Sequence, residues 1–166
     1  MKKVLFSLVF VAMSAMAFAQ QWTSISKSNP AGPEVKLVSS SEQQVVVDLS
    51  LGGFYLTRVN TPNGVQNVVS VPKMATSLDQ GAPNLPSFPV PVLIGDLAEM
   101  SISITSSDYT DFNVEVAPSK GNISRQIDPA TVPYTYGEMY SQDAFYPAAQ
   151  AHLDAPYILR DCRGQN

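Results

Sequence analysis

Apolar and polar residues alternate along several stretches of this chain, which is the pattern of a β-strand that buries one face. In residues 100–105, Met100, Ile102 and Ile104 alternate with Ser and Thr, and residues 112–117 repeat the pattern. The turn signal Thr61-Pro62-Asn63-Gly64 predicts a hairpin between the runs on either side of it. Apolar and β-branched runs predict further strands at residues 35–38, 43–51, 54–59 and 65–71.

No stretch shows the period of a capped helix, and residues 140–153 are the best candidate for one or two helical turns. Residues 81–91 contain four prolines, which exclude a central strand and predict an ordered crossover loop. A polyproline-type ligand for another domain is the alternative interpretation. Residues 118–156 are rich in Pro and Tyr, and so long a loop is typical of a functional surface. The whole pattern predicts an all-β fold, an antiparallel β-sandwich with a long Pro/Tyr-rich loop region in the last third.

The start of the chain has the features of a signal peptide. A basic start is followed by an apolar run over residues 4–15 and by Ala17-Phe18-Ala19, so we expect signal peptidase to cleave after Ala19. The run is short of the roughly 20 apolar residues that span a bilayer, and an uncleaved anchor is the alternative. No later stretch is apolar enough to cross a membrane. We therefore expect export to the periplasm and then to the cell surface or medium, with no membrane segment in the mature form.

The remainder divides into a flexible lead-in and one folded domain. Residues 20–33 are polar and interrupted by Asn-Pro and Gly-Pro pairs, whereas residues 34–166 carry the predicted strands. A strand-like run at residues 156–160 lies just before the end, and a domain rarely ends on a fresh strand. We therefore expect that the domain is incomplete at its C-terminus.

Composition excludes several classes of partner. The formal net charge is −4, and no basic cluster offsets it, so neither nucleic acid nor anionic lipid is an expected partner. Only 14% of the residues are charged and 45% are hydrophobic, which argues against disorder throughout.

The residues that carry chemistry are few. Cys162 is the only cysteine and His152 the only histidine, and a nucleophilic pair formed by them has no supporting motif. The two cannot supply a zinc site by themselves, and the acids at residues 108–115 lack the spacing of a calcium loop. Cys162 is open to three interpretations, namely a buried small residue, an exposed thiol or half of an intermolecular disulfide. We expect no catalytic site, no metal and no cofactor in this chain.

One basic stretch stands out in the acidic chain. Residues 119–126 contain Lys120 and Arg125 around a glycine. The stretch is either a solvated turn or an exposed basic peptide that enters a pocket selective for Arg or Lys.

Several separated motifs resemble the N-terminal pro-segment of gingipain-type cysteine peptidases. The match runs from about residue 81 to the end and more loosely back to residue 35. The motifs, in chain order, are Gly81-x-Pro83-x-Leu85-Pro86, Ala117-Pro118-Ser119-Lys120-Gly121-x-Ile123-Ser124-Arg125, Pro133-Tyr134-x-Tyr136-Gly137, Tyr140, Asp143-x-Phe145-x-Pro147 and Ile158-Leu159-Arg160-Asp161-x-Arg163-Gly164-Gln165.

This resemblance implies a β-sandwich pro-domain that assists folding of a caspase-like peptidase domain in the same precursor and keeps it latent during export. Arg125 matches the pseudo-substrate arginine that enters the specificity pocket of the peptidase, where a buried carboxylate pairs with guanidinium. Cleavage after Arg125 would be a maturation step. The peptidase domain itself is absent from this chain, and Lys120 leaves a lysine-selective target open. The remaining residues of the implied inhibitory loop are Lys120, Gly121, Asn122, Ile123, Ser124 and Gln126.

A second hypothesis is a secreted carbohydrate-binding or adhesive β-sandwich, and an enzyme that uses His152 and Cys162 is a third. Sugar-binding surfaces present aromatic rings, and the chain offers Trp22, Tyr134, Tyr136, Tyr140 and Tyr146. Glycan binding without peptidase inhibition would favour the second hypothesis, and an activity lost in Cys162→Ser would favour the third.

Overall fold

The computed structural model describes residues 20–95 and 98–157, and this part of the chain is all-β with antiparallel sheets. Two 3-10 helices, Pro129–Thr131 and Glu138–Tyr140, are its only helical elements. The predicted all-β class is confirmed, whereas the sandwich layering stays a prediction. The strands are β1 (Gln21–Ser24), β2 (Glu34–Ser40), β3 (Val45–Ser50), β4 (Gly53–Thr61), β5 (Gly64–Ser70), β6 (Ala75–Thr76) and β7 (Pro86–Ser87). They form three sheets, with strand orders β1-β4-β5, β2-β3 and β6-β7.

The hairpin predicted from the Asn-Gly signal is present as β4 and β5. Thr61 pairs with Gly64 at its end, and the Thr61 hydroxyl donates to the Gly64 carbonyl at 2.8 Å. Gly64 has a φ of +111°, which suits the residue without a Cβ. The pair β2–β3 also lies where the sequence predicted strands, and a bulge between Leu37 and Ser39 shifts its register. The β4–β5 hairpin follows from local turn chemistry, and β-branched runs favour the strands of both hairpins.

Within the segment predicted as a flexible lead-in, the structure contains a strand that sequence reasoning missed. β1 pairs antiparallel with β4. The Trp22 ring packs edge-on against Tyr55 at 5.0 Å between centroids, and its indole N–H donates to the Lys27 carbonyl at 3.1 Å. A four-residue strand with one large aromatic residue has too short a pattern to be recognised from alternation alone.

The clearest alternating stretches do not form the predicted strands. Residues 100–105 have no pairing partner among the described residues, and Met100, Ile102 and Ile104 are 39–51% exposed. Of residues 112–117, only Val116 forms an isolated bridge, which runs parallel to Asn67. Alternation specifies two faces, but a strand also needs a neighbouring edge for its backbone hydrogen bonds. The strand prediction was therefore wrong for both stretches.

Residues 140–153, the best candidate for one or two helical turns, contain only the end of a 3-10 helix at Tyr140, and no helix follows in the described part of the chain. The proline-rich residues 81–91 contribute only β7, in a two-stranded sheet, as expected when prolines remove ladder donors. No helix among the described residues is long and apolar enough to cross a membrane.

Three of the best-buried residues of the described chain lie where residues 81–84 meet residues 117–119. Ala82 and Ala117 are fully buried, Pro118 is less than 2% exposed, and Val71 is 5% exposed. Backbone hydrogen bonds join the segments, including Asn84 N–H to the Ala117 carbonyl at 3.0 Å. Small side chains allow these backbones to approach closely. The junction is the platform from which the basic stretch leaves the fold.

Candidate functional site

The base of the basic stretch is fixed at Ser119, which is only 3% exposed. The Ser119 N–H donates to the Ala82 carbonyl and its hydroxyl donates to the Ser77 carbonyl, both at 2.7 Å. Gly81 N–H donates to the Ser119 carbonyl at 2.9 Å. Because all of its polar groups are bound, Ser119 gives the following residues a rigid starting point.

Gly121 turns the chain away from this base. Its φ is +77°, a left-handed conformation that L-residues rarely adopt, and its N–H lies 3.1 Å from the Ser119 hydroxyl oxygen. A Cβ at this position would lie 2.9 Å from Cβ of Gln80. Glycine is therefore required here both for the conformation and for the close approach. We call residues 120–126 the basic loop.

Arg125 lies at the tip of the basic loop in a β-turn. Ile127 N–H donates to the Ser124 carbonyl at 3.0 Å, which places Arg125 and Gln126 at the two central positions. Both residues are exposed. No ion pair within residues 20–95 and 98–157 involves Arg125. The turn therefore presents a guanidinium group outward without an internal partner.

The other residues of the basic loop take different positions. Asn122 and Ser124 are exposed, and Ile123 is half-buried. Lys120 is turned back toward the fold, where its ammonium donates to the Pro129 carbonyl at 2.7 Å and lies 4.3 Å from the centroid of the Tyr134 ring. Burial raises the pKa of the Tyr134 hydroxyl. The two cations that the sequence placed together thus have opposite surroundings.

A pair of tyrosines supports the platform from behind. Tyr136 and Tyr140 pack edge-to-face at 4.8 Å between centroids. The Tyr136 hydroxyl lies 2.6 Å from Gln66 Oε1, and the Tyr140 hydroxyl donates to the Val116 carbonyl at 2.9 Å. Burial, reinforced by the neighbouring Tyr136 and Tyr146, raises the pKa of Tyr140 to about 12. These two tyrosines are used for packing, which removes them from the set of rings proposed for sugar binding.

Sequence reasoning did not identify the partners of the basic loop. Ser77 and Ala82 bind Ser119, the residue before the loop, Gln80 lies close to Gly121, and Pro129 and Tyr134 bind Lys120. The only sequence signal for the platform was the glycine and proline spacing around residues 81–83, which marks close backbone approach without naming the partner.

The other candidate residues stay apart from this site. The His152 Nε2 lies 3.4 Å from Asp154 Oδ1 at an exposed position, 78% exposed for the histidine side chain. Ala19 and Cys162 lie outside the described residues, so the predicted cleavage site and the cysteine have no structural description. No group of three or more His, Cys, Asp or Glu side chains within residues 20–95 and 98–157 is arranged to hold a metal ion.

Comparisons with known proteins point in one direction. The family model Propeptide_C25 matches residues 26–166. Gingipain R1 of Porphyromonas gingivalis is 39% identical over 155 residues, which is 92% of this chain and 15% of that protein. Gingipain R2 of the same organism is 33% identical over 154 residues, which is 92% of this chain and 20% of that protein. The chain thus spans a fifth or less of the curated relatives it matches.

A solved structure agrees with these relatives. The complex of Porphyromonas gingivalis RgpB pro- and mature domains contains a chain that is similar to this one with a TM-score of 0.73 and 32% sequence identity. The similarity covers 79% of this chain and 70% of that chain.

Proposed function

The chain belongs to the Propeptide_C25 family, and from this premise we propose that it is the pro-segment of a gingipain-type cysteine endopeptidase. It keeps the peptidase domain of its own precursor latent and assists the folding of that domain. The observation that carries this proposal is Arg125, an exposed arginine at the centre of a β-turn whose supporting loop begins from a fixed base. The chain acts by binding and supplies no catalytic group.

The chemistry of latency follows from the arginine side chain. Guanidinium is planar, permanently charged and able to pair bidentately with a carboxylate, so Arg125 fits a pocket with a carboxylate at its end. The structure gives the guanidinium no internal ion pair to break within the described chain. An arginine anchor that loses its water in such a pocket contributes at least about 2 kcal/mol to binding. The remaining residues of the basic loop orient the anchor.

The same proposal accounts for the route and fate of the chain. Residues 1–19 direct export, and cleavage after Ala19 releases the pro-segment and its peptidase domain into the periplasm, from which they reach the cell surface or the medium. Cleavage after Arg125 then breaks the basic loop, because Arg125 stays joined to Ser119 but loses its connection to Gln126 and to the residues that follow. Maturation and loss of inhibition are in this scheme one event.

Titration of an arginine-selective gingipain-type peptidase with the exported chain tests the proposal. We expect Arg125→Ala to inhibit at least about 30-fold more weakly than the unaltered chain, which corresponds to about 2 kcal/mol. Arg58→Ala, at an exposed position of β4, is the matched control and should inhibit normally. Equal inhibition by the unaltered chain and Arg125→Ala would show that Arg125 is not the anchor. Absence of inhibition by the unaltered chain would refute the function.

A further inference from the structure

The two cations of the basic loop are distinguished by what binds them. Arg125 is exposed at the tip, whereas the Lys120 ammonium is bound on two sides. A carbonyl oxygen accepts from it at 2.7 Å, and the electron-rich face of the Tyr134 ring lies against it at 4.3 Å, which is within the range of a cation–π interaction. Release of Lys120 breaks both contacts, whereas release of Arg125 breaks no ion pair in the described chain.

The Lys120 contact connects the two ends of the chain segment that contains Arg125. Lys120 follows the fixed Ser119, and Pro129 begins a 3-10 helix that Asp128 caps, with Ala130 N–H donating to Asp128 Oδ1 at 2.9 Å. Both ends are therefore ordered by contacts that do not involve Lys120. Among the hydrogen bonds of the described residues, only Lys120 Nζ to the Pro129 carbonyl joins one end to the other.

We propose that Lys120 is a positioning residue that closes this segment and holds Arg125 at its tip, and that Lys120 does not itself serve as a specificity anchor. The closure lowers the number of conformations open to residues 121–128, and a binding loop ordered in advance loses less conformational entropy when it binds. The role as a closure stands on the structure of the chain alone. Its consequence for the partner, a pocket selective for Arg over Lys, rests on the proposed function.

Limited proteolysis of the exported chain tests the closure without any gingipain-type enzyme. Trypsin is the probe, and mass spectrometry follows only the bond between Arg125 and Gln126. We expect Lys120→Met to raise the initial rate of cleavage of this bond about tenfold, because both contacts of the ammonium are lost. Lys120→Arg keeps a cation that donates and stacks, and it should stay within about threefold of the unaltered chain. Lys36→Met, in the exposed strand β2, is the control for loss of a lysine.

Two results would overturn the closure. One is a rate for Lys120→Met equal to that for Lys36→Met, and the other is a rate for Lys120→Arg as high as that for Lys120→Met. A thermal melt of each variant separates loop opening from global unfolding. If Lys120→Met lowers the melting temperature, Tyr134→Leu replaces it, since that variant removes the ring and keeps the bond to Pro129. Its expected increase in rate is about threefold, and no increase would overturn the proposal.

Inhibition of an arginine-selective gingipain-type peptidase tests the consequence for the partner. We expect Lys120→Met to weaken inhibition about tenfold and Lys120→Arg to restore it, with Arg125→Ala as the reference for loss of the anchor. Weaker inhibition by Lys120→Met together with unchanged trypsin cleavage would mean that Lys120 contacts the peptidase, contrary to the proposal. Faster trypsin cleavage of Lys120→Met together with no inhibition by the unaltered chain would leave the closure standing and refute the proposed function instead.

Discussion

Substitution of Gly121 by alanine tests whether the base of the basic loop is as constrained as its geometry indicates. Gly121 has a φ of +77°, and a Cβ there would lie 2.9 Å from Cβ of Gln80 and 3.4 Å from its Cα. The left-handed conformation costs an L-residue about 1–2 kcal/mol. The contact with Gln80 adds about 1–3 kcal/mol, since atoms close to the backbone must move.

A smaller effect on the unfolded chain opposes these two destabilising contributions. Alanine restricts the unfolded chain more than glycine does, which stabilises the folded state by about 0.4–1 kcal/mol. Together these contributions should lower the free energy of unfolding of Gly121→Ala by about 1–4.5 kcal/mol, with a central value of about 3 kcal/mol. Urea denaturation measures the free energy of unfolding. The fluorescence of Trp22 reports the transition, because this single tryptophan lies in β1 and packs against Tyr55 of β4.

Alanine substitutions at two further glycines separate the cost of the backbone conformation from the cost of the contact with Gln80. Gly64 has a positive φ of +111°, and an added Cβ would meet no atom of the described residues within 4 Å. Gly64→Ala should therefore lower the free energy of unfolding only through its backbone conformation. Gly95 has neither a positive φ nor, among the described residues, a neighbour within 4 Å of an added Cβ, so Gly95→Ala should change the free energy of unfolding by no more than about 0.5 kcal/mol. A φ of +111° lies further from the left-handed region than +77°, so a larger effect of Gly121→Ala than of Gly64→Ala would be due to the contact with Gln80. Equal stability of Gly121→Ala and Gly95→Ala would refute the reasoning.

Three other predictions concern the tyrosine pair and β1. Tyr136→Phe leaves the buried Gln66 side chain without its hydroxyl partner, so it should lower the free energy of unfolding by about 1–3 kcal/mol. An unchanged urea midpoint would contradict this prediction. The pKa of Tyr140 is about 12 in the fold against an ordinary 10.0, so between these values the folded state keeps a proton that the unfolded state loses. Stability should therefore fall as pH rises from about 10 to 12, less so in Tyr140→Phe, and equal slopes in urea midpoints across that interval would disprove the assignment. Gly53→Ala places a Cβ 2.6 Å from Cζ2 of Trp22. This contact should destabilise the pairing of β1 with β4 by about 1–3 kcal/mol and shift the emission of Trp22. An unshifted emission spectrum together with unchanged stability would contradict the packing of Trp22.

Local signals were the reliable part of the sequence analysis. The hairpin β4–β5 followed from Asn63-Gly64, because a turn with positive φ is decided by a few adjacent residues. The resemblance implied an inhibitory loop that includes Gly121 and Arg125, but the constraint on Gly121 is visible only in the structure. The exposed position of Arg125 in a turn agrees with the expectation that it is presented outward, and its role as an anchor stays a proposal.

Non-local pairing was the unreliable part. Residues 100–105 alternate well but meet no strand edge among the described residues, and sequence pattern contains no information about whether an edge is free. The sequence likewise did not predict that Lys120 and Arg125 have different surroundings. Both are cations on one short loop, and only the position of Tyr134 and of the Pro129 carbonyl assigns one to the fold and leaves the other exposed.

The platform under the basic loop also has a consequence for the order of folding. Its contacts join distant parts of the chain, with Ser77 and Ser119 separated by 42 residues and Thr61 and Tyr136 by 75. Contacts of such long sequence separation form slowly, because chain entropy is lost before they are gained. A nascent or partly assembled chain therefore carries Arg125 on a loose peptide. The base of the loop is fixed only once residues 77–82 have met Ser119, so an ordered base reports that this part of the fold has formed.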